Sequence, residues 1–189
     1  MTGRAPNLID MQDASGPGEI QALSFYKGKI LFMTTYVALL RGIGPTNPNM
    51  HPKKLKGAFE KMGFKNVRTV ISSGNVVFES ASKSESLLET KIEKALPKLL
   101  GFKSTTIIRS KDSIEKLVRK NPFKGIEDNM PNYLVVTYFK DHTKELCTVI
   151  DMTAGKTPDF MRQLEKKHGK AVTTRTWKTV HRILAKMQA

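Results

Sequence analysis

Cys147 is the only cysteine in this chain, so no intramolecular disulfide can brace it and no multi-cysteine metal site can form. No apolar run approaches the ~20 residues that a bilayer crossing requires. The opening MTGRAPNLIDMQDASGPGEIQ lacks the order of basic start, apolar stretch and small-residue cleavage site, so a cytoplasmic setting is expected rather than export. Catalytic signatures are missing too. There is no Gly-x-x-x-x-Gly-Lys-Ser/Thr loop, GIGPTNPNM has no lysine to hold a phosphate, and neither His-Glu-x-x-His nor Gly-x-Ser-x-Gly occurs. His51, His142, His168 and His181 fall in separate elements without ligand spacing. No metal, cofactor or recognisable enzyme chemistry is therefore expected.

What the chain does have is positive charge. Its net +15 is unevenly placed: Arg4, Lys27 and Lys29 offset Asp10, Asp13 and Glu19 within residues 1–32, so the whole excess falls on residues 33–189. Such a surface attracts polyanions without a designed site, with nonspecific nucleic-acid affinities of roughly 1 µM to 0.1 mM. The apolar content, 39%, is enough for a packed core.

Residues 1–32 show no periodicity and carry the turn-rich DASGPGE, so they read as a loosely attached or non-native extension before a start at Met33. TYVALLR (35–41) is a nearly continuous apolar run, the pattern of a strand covered on both faces. Pro52 then opens a helix with Leu55, Ala58, Phe59 and Met62 on one side and Gly63 at its end. VRTVIS and NVVFES form a hairpin around Gly74. A second helix starts at the capping-box pair Ser82 and Glu85, buries Leu88, Ile92, Ala95 and Leu96, and is disturbed at Pro97. STTIIR (104–109) completes the series strand, helix, strand, strand, helix, strand. Over 33–110 this order predicts a ferredoxin-like βαββαβ unit with an antiparallel sheet and both helices on one face.

Residues 111–189 read as a second, reduced α/β half within an overall α+β protein. A helix over 111–120 turns Ile114, Leu117 and Val118 inward, and YLVVTYF (133–139) is a strand. Residues 141–156 are ambiguous. Two helices close the chain: one with Thr157 as N-cap, Pro158 first, Phe160, Met161 and Leu164 inward and Gly169 at its end, the other from about Thr176 with Trp177, Val180, Leu184 and Met187 on one face.

The segments YVALLRGI, NVRTVISSGNVVFES and TTRTWKTV together resemble the bacterial family of unknown function DUF1697. That resemblance implies a mixed α+β fold of two ferredoxin-like halves and no established activity. This chain is shorter than the family pattern around 141–156, which implies a truncated second half.

Topology suggests a site. In a ferredoxin-like sheet the first two strands run the same way, so Arg41, Gly42 and Gly44 should emerge at the same end as the corner Ser72, Ser73, Gly74 and Asn75. Glycine turns can aim backbone N–H groups at one anion, and an arginine can hold a carboxylate or phosphate with two parallel bonds. If TTRTWK packs there, Arg175 and Lys178 add charge and Trp177 a flat wall. A second reading gives these residues structural work only: turn geometry for the glycines, backbone satisfaction for Asn75, a carboxylate partner such as Glu79 for Arg41, capping of the last helix by Thr173 to Thr176, and a core position for Trp177. Three partner classes follow: a small phosphate- or carboxylate-bearing ligand, nucleic acid held weakly by charge, or another protein. RNA-recognition domains share the topology but stack bases on sheet aromatics, and here only Tyr36 fits, with Asn75 and Val77 at the other two positions. The lysine groups Lys53, Lys54, Lys56 and Lys166, Lys167, Lys170 read as solvated helix faces. Cys147 lacks a positioned base.

Overall fold

The computed structural model describes residues 23–26, 29–42, 47–71, 74–142, 145–153 and 157–189. Over the first part the chain forms β1 (Leu23–Tyr26), β2 (Lys29–Phe32), β3 (Thr34–Arg41), α1 (Pro52–Lys61), β4 (Lys65–Val70), β5 (Asn75–Ser80), α2 (Glu85–Leu100) and β6 (Thr105–Ser110). The remainder forms α3 (Lys111–Lys120), β7 (Asn132–Phe139), β8 (Leu146–Asp151), α4 (Thr157–His168), β9 (Val172–Thr176) and α5 (Trp177–Gln188). Within 1–32, β1 and β2 pair antiparallel as a separate two-stranded ladder.

The four-stranded sheet runs β4-β5-β3-β6, antiparallel throughout, which is the ferredoxin-like order. Tyr36, Ala38 and Leu40 of β3 point to one face, where they pack with Leu55, Ala58 and Phe59 of α1 and Leu88, Ile92 and Leu96 of α2. Val37 and Leu39 point the other way, and that face is covered as well. There they meet Ile114 of α3, Val136 and Tyr138 of β7, and Trp177, Val180 and Ile183 of α5. The unbroken apolar run of β3 is the direct consequence, since neither of its faces meets water.

Local signals set the helix ends. His51 caps α1, its ring nitrogen accepting from Lys53 N at 3.3 Å. For α2 the cap is Ser84 rather than Ser82, its hydroxyl accepting from Leu87 N at 3.3 Å. The helix also runs through Pro97 to Leu100 and ends on Gly101. Pro97 forgoes the bond its N–H would make to the preceding turn, and the helix ends one turn later.

The second half is a three-stranded antiparallel sheet, β8-β7-β9. The ambiguous stretch contains β8. Residues Val172–Thr176 are a strand, not only a cap, although Thr176 does cap α5 through Thr179 N at 3.1 Å. Threonine and arginine give this segment no apolar alternation, and its pairing with β7 makes it a strand.

The outer edge of β6 is sealed by α2. Glu93, Glu89 and Glu85, spaced four apart along one helix ridge, accept from the N–H groups of Thr106 (2.8 Å), Ile108 (2.9 Å) and Ser110 (2.9 Å), spaced two apart along the strand. The carbonyl of Ile108 accepts from Arg109 Nη1 at 2.8 Å. An edge that would otherwise template strand addition is thus satisfied by side chains. Arg109 continues the network to Glu145 (2.9 Å) and to the Phe139 carbonyl (2.9 Å), tying the halves together.

Candidate functional site

The end of β3 is shaped by one turn. Gly74 has φ +69°, and a Cβ there would lie 3.1 Å from Leu40 Cβ, 3.2 Å from Met50 Cε and 3.3 Å from the Leu40 carbonyl oxygen. Glycine meets both the conformational and the steric demand. Its carbonyl accepts the Leu40 N–H at 2.8 Å. Asn75 follows, 0% exposed, with its amide donating to the Val70 carbonyl at 3.2 Å.

Arg175 reaches this turn from β9 in the other sheet. Its Nε donates to Asn75 Oδ1 at 2.5 Å, Nη2 to the Leu40 carbonyl at 2.9 Å, and Nη1 to Thr173 Oγ1 at 2.8 Å and the Thr174 carbonyl at 2.9 Å. Though partly accessible, the guanidinium has lost enough water to pull its pKa down to about 10, so it stays charged at neutral pH. Four of its five N–H donors are spent inside the fold.

Arg41 turns away from that cluster. Nη1 donates to the Gly169 carbonyl at 2.8 Å and Nη2 to Glu165 at 2.5 Å, both on the α4 side. Its carboxylate partner is therefore Glu165. Glu79, the partner suggested by the second sequence reading, lies opposite Thr35 at the far end of β3 and takes the Asn66 amide instead. The backbone of Arg41 is clamped by Ser104, whose hydroxyl accepts from Arg41 N at 3.0 Å and donates to its carbonyl at 2.8 Å.

Beside Arg41 lies an open cleft of about 1010 Å³ between the β6 end of the first sheet and the turn from α4 into β9. Arg41, Gly42, Lys103, Lys140 and Lys170 line it, with Glu93 and Glu165 as its acids. Lys140 is paired with Glu93 as Arg41 is with Glu165, so Lys103 and Lys170 leave the wall positive.

Of the sequence candidates, Gly74, Asn75 and Arg175 therefore converge, and Arg41 and Gly42 adjoin them but face the cleft. Gly44, Ser72 and Ser73 lie outside the described residues. Trp177 is 8% exposed and packs edge-on against Phe123 at 5.2 Å and His181 at 4.7 Å. Lys178 is exposed and donates to the Asp128 carbonyl at 2.7 Å, away from the cleft. Lys103, Lys140 and Glu165 carried no motif by which the sequence marked them. Lys170 belonged to a lysine group that reads equally as a solvated face.

The face on which an RNA-recognition sheet would stack bases is covered by α3, α5 and β7. Tyr36 points to the opposite side, its hydroxyl donating to the Ser82 carbonyl at 2.9 Å and its ring 5.9 Å from that of Phe78. Burial and the nearby Glu145 push the Cys147 thiol up, away from thiolate reactivity. Among the described residues no group of three or more His, Cys, Asp or Glu is placed to hold a metal ion, and no helix is long and apolar enough to cross a membrane.

The arrangement defines an α+β protein whose ferredoxin-like sheet is roofed on its second face by a smaller three-stranded half, with a basic cleft where the halves meet. The chain belongs to the family described as protein of unknown function DUF1697, whose model matches residues 33–166. Its fold is similar to the solved structure of a conserved bacterial protein from Streptococcus pneumoniae, with a TM-score of 0.65 and 18% identity over 83% of this chain and 99% of that one. No curated protein matches it.

Proposed function

We propose that the protein binds a small anionic ligand, bearing phosphate or carboxylate, in the cleft beside Arg41. The observation that carries this reading is the placement of four cations, Arg41, Lys103, Lys140 and Lys170, around one cleft with only two carboxylates. Bonds to Gly169 and Glu165 use two of the five N–H donors of Arg41, and they fix its plane at the wall. An entering anion shares that guanidinium or displaces Glu165 from it, with the two lysines supplying charge. Gly74, Asn75 and Arg175 act as positioning residues, because they hold the end of β3 from which Arg41 projects.

A thermal-shift panel of inorganic phosphate, citrate, mono- and dinucleotides and simple carboxylates tests this. One anion class should raise the melting temperature of the wild type. Arg41→Ala and Lys103→Ala should lose that response while keeping the native circular dichroism spectrum. Absence of any response across the panel overturns the proposal.

The alternative is nucleic-acid binding by surface charge, and it rests on the net +15 alone. Binding of that kind should show no sequence preference and fall away steeply as salt rises toward about 0.2 M.

A further inference from the structure

A second cavity, of about 760 Å³, opens at the other end of β3, beyond the last turn of α5. Thr34, Thr35, Arg68, Glu79 and Met187 are among the residues that line it. Most of its charges are already paired. Lys56 lies 3.8 Å from Glu60, Lys111 lies 3.8 Å from Glu115, and Asp112 lies 2.7 Å from Lys116. Among the described side chains, two are not paired with an opposite charge. The Arg68 Nε is buried and has no hydrogen-bond acceptor, which is costly for a guanidinium nitrogen. Glu79, 9% exposed, has only the neutral Asn66 amide at 2.8 Å.

These two side chains belong on the same face of the sheet. Arg68 stands opposite Val77, and Glu79 is two residues along the same strand, which makes Arg68 and Glu79 diagonal neighbours. Opposite charges so placed ordinarily meet, yet no salt bridge joins them. The register of β4 slips between Lys65 and Arg68, with Asn66 in the left-handed region at φ +46°. That bulge re-aims the strand, and Asn66 takes the carboxylate of Glu79. An acceptor-seeking cation and a buried anion thus face one cavity without neutralising each other.

We infer that this cavity is a binding site for a zwitterionic amino acid, whose carboxylate pairs with Arg68 and whose ammonium pairs with Glu79. The hydroxyl of Thr35, which stands opposite Glu79 on the same face, supplies a further hydrogen bond, and the Met187 thioether gives the ligand side chain an adaptable apolar wall. The near balance of charge around the cavity suits a zwitterion and disfavours a polyanion. The site is separate from the Arg41 cleft, at the opposite end of the sheet.

NMR titration of the intact protein with L-leucine, L-methionine and L-phenylalanine tests the assignment, with acetate and methylammonium as half-ligands and inorganic phosphate as competitor. At least one amino acid should shift resonances of β4 and β5 saturably, and phosphate should not displace it. Arg68→Gln and Glu79→Gln should each weaken that binding by about ten- to a hundredfold, the worth of one charged hydrogen-bonded contact. Should Arg68→Gln fail to fold, Glu79→Gln, which keeps an acceptor for the Asn66 amide, gives the same reading. The inference is overturned if no amino acid produces saturable shifts, if acetate alone reproduces them, if phosphate displaces the amino acid, or if both folded variants bind as the wild type does.

Discussion

Arg175 and Asn75 are separated by 100 residues, and the guanidinium of the first donates to the side-chain oxygen of the second at 2.5 Å. This bond joins the two sheets through their buried ends. Replacing Arg175 with alanine removes the donors to Asn75 Oδ1 and to the Leu40 carbonyl at once and is expected to lower stability by about 2–4 kcal/mol. Arg175→Lys should recover little, because one ammonium cannot reproduce the planar fork that reaches Asn75, Leu40 and Thr174 together. Urea denaturation of both variants measures this.

Gly74→Ala should be costlier than Gly42→Ala. Both glycines have positive φ, +69° and +78°, but a Cβ on Gly74 meets Leu40 at 3.1 Å while one on Gly42 meets nothing within 4 Å. Gly42→Ala should therefore cost only the conformational penalty, about 1 kcal/mol, and Gly74→Ala about 1–2 kcal/mol more from the clash. The midpoints of chemical unfolding, compared at equal m-value, give the difference.

Glu89 provides a pH test with a definite sign. Burial raises its carboxyl pKa above the ordinary value of 4.5, against the opposing pull of the Ile108 N–H and of His142, Lys140 and Arg109. A carboxyl with a raised native pKa contributes stability that is fully present below its unfolded pKa and is lost as pH rises through the native one. Glutamine at this position can still accept from Ile108 N and does not titrate. The stability of Glu89→Gln relative to wild type should accordingly improve as pH is raised from about 4 to about 7. A flat difference across that range would show that Glu89 ionises in the native state as readily as in the unfolded chain.

Trp177 and Lys178, adjacent in sequence, should respond to truncation with very different magnitudes. Trp177→Ala empties a position between Phe123 and His181 in the second core and should cost about 3–5 kcal/mol. Lys178→Ala removes an exposed contact to Asp128 and should change stability by less than about 1 kcal/mol. Neither substitution should alter an anion response that depends on Arg41. Thermal unfolding and the anion panel, run on both variants, check the two statements together.

The apolar run of β3, the Pro52 start of α1 and the hairpin around Gly74 were legible because each is a local rule with a periodic or conformational signature. The core position of Trp177 belonged to the same kind of signal, a helical stripe shared with Val180 and Leu184. Glu89 was not legible. It stands next to Leu88 on an apolar helix, and only the neighbouring edge of β6 explains why a carboxylate is buried there. The strand character of Val172–Thr176 was hidden too, since it comes from pairing with β7.

By itself the amino-acid sequence determined the order of elements, the ferredoxin-like first half, the surplus of positive charge and the need for glycine at the corner, because those follow from short-range periodicity, composition and backbone sterics. Tertiary structure alone decided that Arg41 turns to Glu165, that Arg175 is spent on Asn75 and Leu40, and that Arg68 and Glu79 face one cavity unpaired. Those outcomes depend on which distant donors and acceptors packing brings within about 3 Å of one another, and hydrogen-bond geometry at that range leaves no periodic trace in a chain.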